Sequence, residues 1–353
     1  MSRFLSSRHK DLKPYVPGEQ PREGVLIKLN TNESPYPPSP GVLARVAEEA
    51  GKLRLYPDPE ARGLREKLAA RFGVGVENVL VTNGSDEALA FAYMAFFDAN
   101  TPVAFPDVTY GFYPVFCRVF GVPAEIMPLR EDFSVRVEDY IGIGRHVILA
   151  NPNAPTGLFL PVEEIRRIAE SNPDNIVLVD EAYIDFGGES AVPLIRQYEN
   201  LLVVGTFSKS RSLAGGRIGY IVAPAPLIQD LDAVRNSFNP YNVSRLALAA
   251  GEAALEDQAY YDANCREIIR IREETAEKLR SLGFVLTDSK ANFLFARHPK
   301  RPGGELHKAL RERGILVRWF NQPRTADYLR ITVGTPAQMD ALVEALRSLI
   351  EGG

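Results

Sequence analysis

Short, unbroken apolar runs alternate with amphipathic stretches through the middle of the chain, and this alternation restricts the fold more than any other feature. Val79-Leu-Val-Thr82, Pro102-Val-Ala-Phe105, His146-Val-Ile-Leu-Ala150, Ile176-Val-Leu-Val-Asp180, Leu201-Leu-Val-Val-Gly205 and Ile218-Gly-Tyr-Ile-Val222 read as strands. Several lack the polar alternation of a half-wet strand, so both faces must be covered, as in a mostly parallel sheet between helical layers. Segments such as 86–97 and 162–170 have the helical pattern that supplies those layers. An α/β domain of this kind binds ligands at the carboxyl ends of its strands.

From about Leu246 the texture changes. A long charged helical stretch that includes 265–279 leads into the strand candidates 284–287, 292–296, 315–319 and 328–333, and then a helix from Pro336. This reads as a smaller α+β domain. The first forty or so residues carry Pro14, Pro17, Pro21, Pro35, Pro37, Pro38 and Pro40, too many for a useful helix, and read as an arm laid across another surface. The expected divisions are an arm over 1–44, a large α/β domain over 45–250 and a small domain over 251–353.

Net charge is 41 − 45 = −4 with no basic block, so nothing points to nucleic acid or an anionic membrane. The first ten residues hold no apolar stretch of signal-peptide length, and no run of about 18 apolar residues implies a span. Cys117 and Cys265 form no disulfide framework and the four histidines no ligand spacing, so no metal is expected and the reading is cytoplasmic.

Chemistry gathers at the strand ends. Thr206-Phe-Ser208-Lys209 follows a buried run, and Arg217 follows eight residues later behind two glycines. An amine beside a second cation and several hydroxyls is well placed to condense with an aldehyde that carries a phosphate. Asp180 ends another strand after four apolar residues; desolvated there, it suits a protonated ring nitrogen, and Tyr183 could donate to a ring oxygen. Asn151-Pro-Asn153-Ala-Pro-Thr-Gly157 forces a turn at a third strand end. Thr82-Asn-Gly84-Ser85-Asp86-Glu87 opens a helix whose free N–H groups suit a phosphate, although a plain helix cap reads the same way. Tyr110 could stack on a ring or belong to the core.

These residues resemble the fold type I pyridoxal-phosphate aminotransferases, and among them the histidinol-phosphate aminotransferase family. Besides the lysine box, Leu12-Lys-Pro-Tyr15, Asn32-Glu33-Ser-Pro, Arg54-Leu-Tyr56-Pro-Asp, Asp180-Glu-Ala-Tyr183 and Leu329-Arg330-Ile-Thr-Val-Gly-Thr335 match in order across essentially the whole chain. The resemblance implies a mostly parallel, mixed seven-stranded sheet, pyridoxal 5′-phosphate as cofactor, and a homodimer with shared sites. Lys209 would carry the cofactor, Asp180 meet its ring nitrogen, Tyr183 its ring oxygen and Tyr110 its face. Ser85, Asp86, Thr206, Ser208 and Arg217 would hold its phosphate, with Tyr56 reaching the partner's. Tyr15, Asn32, Arg318 and Arg330 would bind substrate. The family has asparagine before Pro-Thr-Gly, whereas this chain has Ala154, so the amide to the ring oxygen falls to Asn153 first, to Asn151, or to neither.

The implied activity is amino transfer from L-histidinol phosphate to 2-oxoglutarate, giving imidazole-acetol phosphate and L-glutamate. Two arginines at the substrate end suit a phosphorylated amine, because the guanidinium fork matches phosphate oxygens. An aromatic amino-acid aminotransferase, a threonine-phosphate decarboxylase and a non-catalytic cofactor-binding module are the competing readings.

Overall fold

The computed structural model describes residues 2–10, 12–20 and 26–352, so Pro21 of the proline-rich arm lies outside it. Among the described residues twelve strands form two sheets: β1 (Ile27–Leu29), β2 (Val79–Thr82), β3 (Val103–Pro106), β4 (Ala124–Met127), β5 (His146–Ala150), β6 (Val177–Asp180), β7 (Leu201–Thr206), β8 (Gly219–Val222), β9 (Val285–Leu286), β10 (Phe293–Arg297), β11 (Ile315–Trp319) and β12 (Tyr328–Thr332).

The larger sheet has seven strands in the order β2-β8-β7-β6-β5-β3-β4. Only β8 runs against its neighbours, pairing antiparallel with both β2 and β7. The carboxyl ends of the other six therefore share one edge, and β8 begins at that same edge. Every residue of β2, β3, β6 and β7 is buried, which is why their sequences are continuous apolar runs. One apolar cluster packs Leu80, Ile148, Leu178 and Leu202 against the helix Ser85–Phe96. On the opposite face, Val147, Val177 and Val203 pack against the helix Val162–Ser171. Strand β4 was not expected from the sequence. It is an edge strand with an exposed Ala-Glu-Ile segment, so no buried face imposed a pattern on it.

The smaller sheet runs β1-β11-β12-β10-β9. Its first strand comes from the segment expected to be loop: Ile27, Lys28 and Leu29 pair in parallel with Ile315, Leu316 and Val317. The arm is thus part of the small domain's sheet. The helices Pro40–Ala50 and Arg245–Glu256 run through residues 44 and 250, where the divisions were expected. The helix Gln258–Ser281 sets Cys265, Ile268, Ile271 and Leu279 in the small-domain core with Leu294, Leu329 and Ile331. Among the described residues no helix is long and apolar enough to cross a membrane.

Candidate active site

A cavity of about 240 Å³ opens where the carboxyl ends of the large sheet meet the small domain. All the residues expected at the site line it except Asn153 and Tyr56.

Lys209 leaves β7 and points its amine into the cavity, 3.4 Å from the carbonyl of Thr31 and 5.8 Å from the centre of the Tyr183 ring. Asp180, at the end of the neighbouring β6, is buried. One of its oxygens accepts from the Tyr113 hydroxyl at 3.0 Å and the other from the Ala182 N–H at 3.2 Å. Burial pushes its carboxyl up to about 6, although both donors oppose that rise. A protonated ring nitrogen supplies the charge this carboxylate lacks, so the position fits a pyridinium.

The far end of the cavity fits a phosphate. Thr206 and Ser208 hydroxyls lie 2.9 Å apart, and Arg217 reaches Ser208 at 3.5 Å and the Asp86 carboxylate at 3.3 Å. Among the described residues no side chain caps the helix Ser85–Phe96, whose first residues, Ser85 and Asp86, line the cavity, so its free N–H groups suit an anion there. Gly84 adopts φ 80°, and a Cβ built on Gly219 would run into the Gly84 backbone, so this crossing of β8 and the helix start tolerates no side chain. Arg217 itself has φ 51°, a left-handed conformation that turns its side chain back over the helix start. Tyr110 donates to Asp86 at 2.9 Å; burial first, and that carboxylate second, push its phenol well above the usual range.

Two arginines of the small domain line the same cavity. Arg330 on β12 donates to the Asn30 carbonyl at 3.0 Å and lies over the rings of Phe293 and Phe320, 5.4 Å from each. Among the described residues its buried Nε has no partner, and burial works against its charge. Such a guanidinium calls for an anion. Arg318 holds the arm, donating to the carbonyls of Val16 at 2.8 Å and Pro17 at 3.2 Å. Tyr15 of the same arm packs on Phe112, with ring centres 4.6 Å apart.

Three expectations acquire different content. The Asn153 side chain is committed to the turn: its amide donates to the Val108 carbonyl at 3.0 Å and to Thr156 Oγ1 at 2.9 Å, and its oxygen accepts from Thr109 at 2.8 Å. No donor remains for a ring oxygen, and Ala154, which does line the cavity, has none to offer. Asn32 lines the cavity, but its amide donates to Tyr183 at 2.9 Å and its oxygen accepts from Thr332 at 3.0 Å. Tyr56 lies elsewhere, 76% exposed and stacked on Tyr241, beside the exposed apolar side chains Leu53 and Leu55. Tyr113 was missed altogether. It stands in an aromatic row, Tyr110, Phe112, Tyr113, Phe116, that reads as core, and nothing local marks its hydroxyl as facing Asp180.

Comparison with known proteins gives a consistent picture. Residues 25–346 match the family described as aminotransferase class I and II. The histidinol-phosphate aminotransferase 1 of Bradyrhizobium diazoefficiens is 52% identical over 350 residues, covering 99% of this chain and 100% of that protein. A crystal structure of histidinol-phosphate aminotransferase from Sinorhizobium meliloti in complex with pyridoxal-5′-phosphate superposes with a TM-score of 0.84 at 28% identity, over 92% of this chain and 91% of that one. The L-threonine-O-3-phosphate decarboxylase of Porphyromonas gingivalis superposes with a TM-score of 0.81, also at 28% identity, over 92% of this chain and 99% of that one.

Proposed function

Since the chain belongs to the histidinol-phosphate aminotransferases of the class I and II aminotransferases, we propose that it transfers the amino group of L-histidinol phosphate to 2-oxoglutarate, giving imidazole-acetol phosphate and L-glutamate in histidine biosynthesis. It works with pyridoxal 5′-phosphate. The observation that carries this reading is one cavity lined by Lys209, Asp180, Arg217, Arg318 and Arg330, the last with its Nε buried and unpaired among the described residues.

Pyridoxal 5′-phosphate supplies an aldehyde that condenses with amines and a protonated ring that absorbs an electron pair. The chain does the rest. Lys209 would hold the cofactor through its amine, and as a free amine in the cavity it would act as base and then as acid for the proton on the substrate's amine-bearing carbon. Asp180 would keep the ring nitrogen protonated. Tyr183 would donate to the ring oxygen, Tyr110 would cover one face, and Ser85, Asp86, Thr206, Ser208 and Arg217 would hold the phosphate. Arg330 takes the carboxylate of glutamate or 2-oxoglutarate, and together with Arg318 and Tyr15 it takes the phosphate of histidinol phosphate. Both substrates present anions that alternate at one end of the cavity, which a forked, permanently charged side chain suits better than lysine. The exposed apolar row around Tyr56 supports a homodimer in which that phenol completes the partner's phosphate site. The enzyme's place is the cytoplasm.

The test is glutamate formation from 2-oxoglutarate with histidinol phosphate, phenylalanine or threonine phosphate as donor. Histidinol phosphate should be the best donor by kcat/KM. Faster turnover of phenylalanine would make the enzyme an aromatic aminotransferase, and carbon dioxide from threonine phosphate would make it a lyase.

A further inference from the structure

We propose that Tyr113 is a positioning residue for this reaction, its hydroxyl holding the Asp180 carboxylate in the orientation and charge state that the cofactor's ring nitrogen requires. The inference rests on the reading of the cavity as a pyridoxal-phosphate site.

Tyr113 opens the helix Tyr113–Phe120 and is fully buried. It does not line the cavity, so it acts on anything bound there only through Asp180. Its ring is fixed edge-on to Tyr110 at 5.6 Å and to Phe105 at 5.8 Å, and its carbonyl accepts from Tyr93 at 3.3 Å. Phenylalanine would fill the same space. A hydroxyl sunk among Phe105, Tyr93 and Phe116 is unfavourable unless it is hydrogen-bonded, and among the described residues its partner is Asp180.

The geometry around Asp180 explains what that bond does. Each carboxylate oxygen has one donor, Tyr113 on Oδ2 and the Ala182 N–H on Oδ1. Each oxygen accepts about two hydrogen bonds, so capacity remains toward the cavity. Of the charged groups nearby, Lys209 favours the ionised form and Asp86 opposes it. Glu181 is turned away, accepting from the Ser190 hydroxyl and the Ala191 N–H. Among the described residues no cationic side chain is hydrogen-bonded to Asp180, so two neutral donors offset its burial. Losing one leaves the Ala182 N–H alone.

The test compares wild type with Tyr113→Phe and with site-specific 3-fluorotyrosine at position 113, which keeps the ring and strengthens the donor. In cofactor-free protein, carbon-13 carboxyl NMR follows Asp180, assigned by the signal lost in Asp180→Asn. Tyr113→Phe should raise the midpoint by about one pH unit, the size of one hydrogen bond to a charged group. The fluorinated residue should lower it. In loaded enzyme, the acidic limb of the kcat profile should move upward for Tyr113→Phe and kcat at neutral pH should fall about tenfold, with KM for the amine unchanged. An unmoved midpoint and kcat profile in folded Tyr113→Phe would overturn the proposal. If that variant does not fold, an unmoved midpoint with 3-fluorotyrosine does so. A wild type that fails to bind pyridoxal 5′-phosphate would sink the functional reading instead, and the cofactor-free titration would still decide the Tyr113–Asp180 bond.

Discussion

The side-chain amide of Asn32 donates to the hydroxyl of Tyr183 over 2.9 Å. This leaves the phenolic hydrogen free to point into the cavity. Asn32 is held for the purpose: it has φ 57°, its N–H and its side-chain oxygen both meet the Thr332 hydroxyl at 3.0 Å, and its carbonyl accepts from Asn292 at 3.0 Å. Thr332 ends β12, two residues after Arg330, so the strand that carries the proposed substrate arginine also fixes, through Asn32, the hydroxyl of Tyr183. With Ala154 mute and Asn153 occupied, Tyr183 is the side chain proposed to donate to the cofactor's ring oxygen.

Asn32→Asp reverses the polarity of this bond. A carboxylate cannot donate, so Tyr183 would turn its hydrogen toward the substituted side chain and away from the cavity. The expected result is a kcat lowered about tenfold, the value of one misdirected hydrogen bond. Steady-state kinetics and the visible spectrum of the loaded enzyme check it; a wild-type kcat would remove Asn32 from the argument.

Arg318 carries the arm on its guanidinium, and Arg318→Ala should have two separable effects. Turnover of histidinol phosphate should fall about 10- to 100-fold in kcat/KM, while an unphosphorylated amine loses much less. The Val16 and Pro17 carbonyls lose their donor, so limited proteolysis should cut the arm sooner. Equal losses for both amines would contradict the proposed role.

Much of this arrangement could be read from the residues. The buried strands of the large sheet announce themselves because both faces are covered, and Lys209, Asp180 and Arg217 stand out as candidates because each lies at or just beyond the end or start of a strand of that sheet. What could not be read depends on contacts distant in sequence. The short β1 is defined by pairing with β11 nearly three hundred residues later. Asn153 looks available until Val108, Thr109 and Thr156 are seen to use every hydrogen-bonding group it has. Tyr113 carries no local signal, because a core tyrosine and one whose hydroxyl holds a buried carboxylate have the same neighbours in sequence.

Asp180 and Glu181 should make the cofactor-free protein less stable as pH rises. Burial pushes their carboxyls up to about 6 and about 8 respectively. The folded protein therefore binds these protons more tightly than the unfolded chain does. Their contribution is most favourable below about pH 4 and is lost as pH climbs through the folded values. Cofactor-free Asp180→Asn should be more stable than wild type at pH 8, by up to about 2–3 kcal/mol, with the advantage gone near pH 4. Urea melts across that range check the sign.

Gly219→Ala drives a methyl into the backbone of Gly84. Relief requires the start of the helix Ser85–Phe96 to move away from Thr206 and Ser208. Stability should fall by about 1–3 kcal/mol, and the affinity for pyridoxal 5′-phosphate should fall more than that for pyridoxal, which lacks the phosphate. Equal losses for the two would place the damage outside the phosphate cup.

If Tyr56 completes the partner's site, inactive variants should rescue each other. Lys209→Ala and Tyr56→Ala, unfolded together and refolded, form mixed dimers in which one of the two sites is intact. Activity should return to about a quarter of the wild-type rate by the statistics of a twofold dimer. No gain over the unmixed variants would mean that Tyr56 serves its own subunit or none.

The most direct measurement concerns the amine itself. Wild-type protein loaded with pyridoxal 5′-phosphate, treated with borohydride and digested, should carry the reduced cofactor on the peptide containing Lys209, and Lys209→Ala should show neither label nor turnover. A label on a different lysine, or transamination that survives Lys209→Ala, would contradict the account.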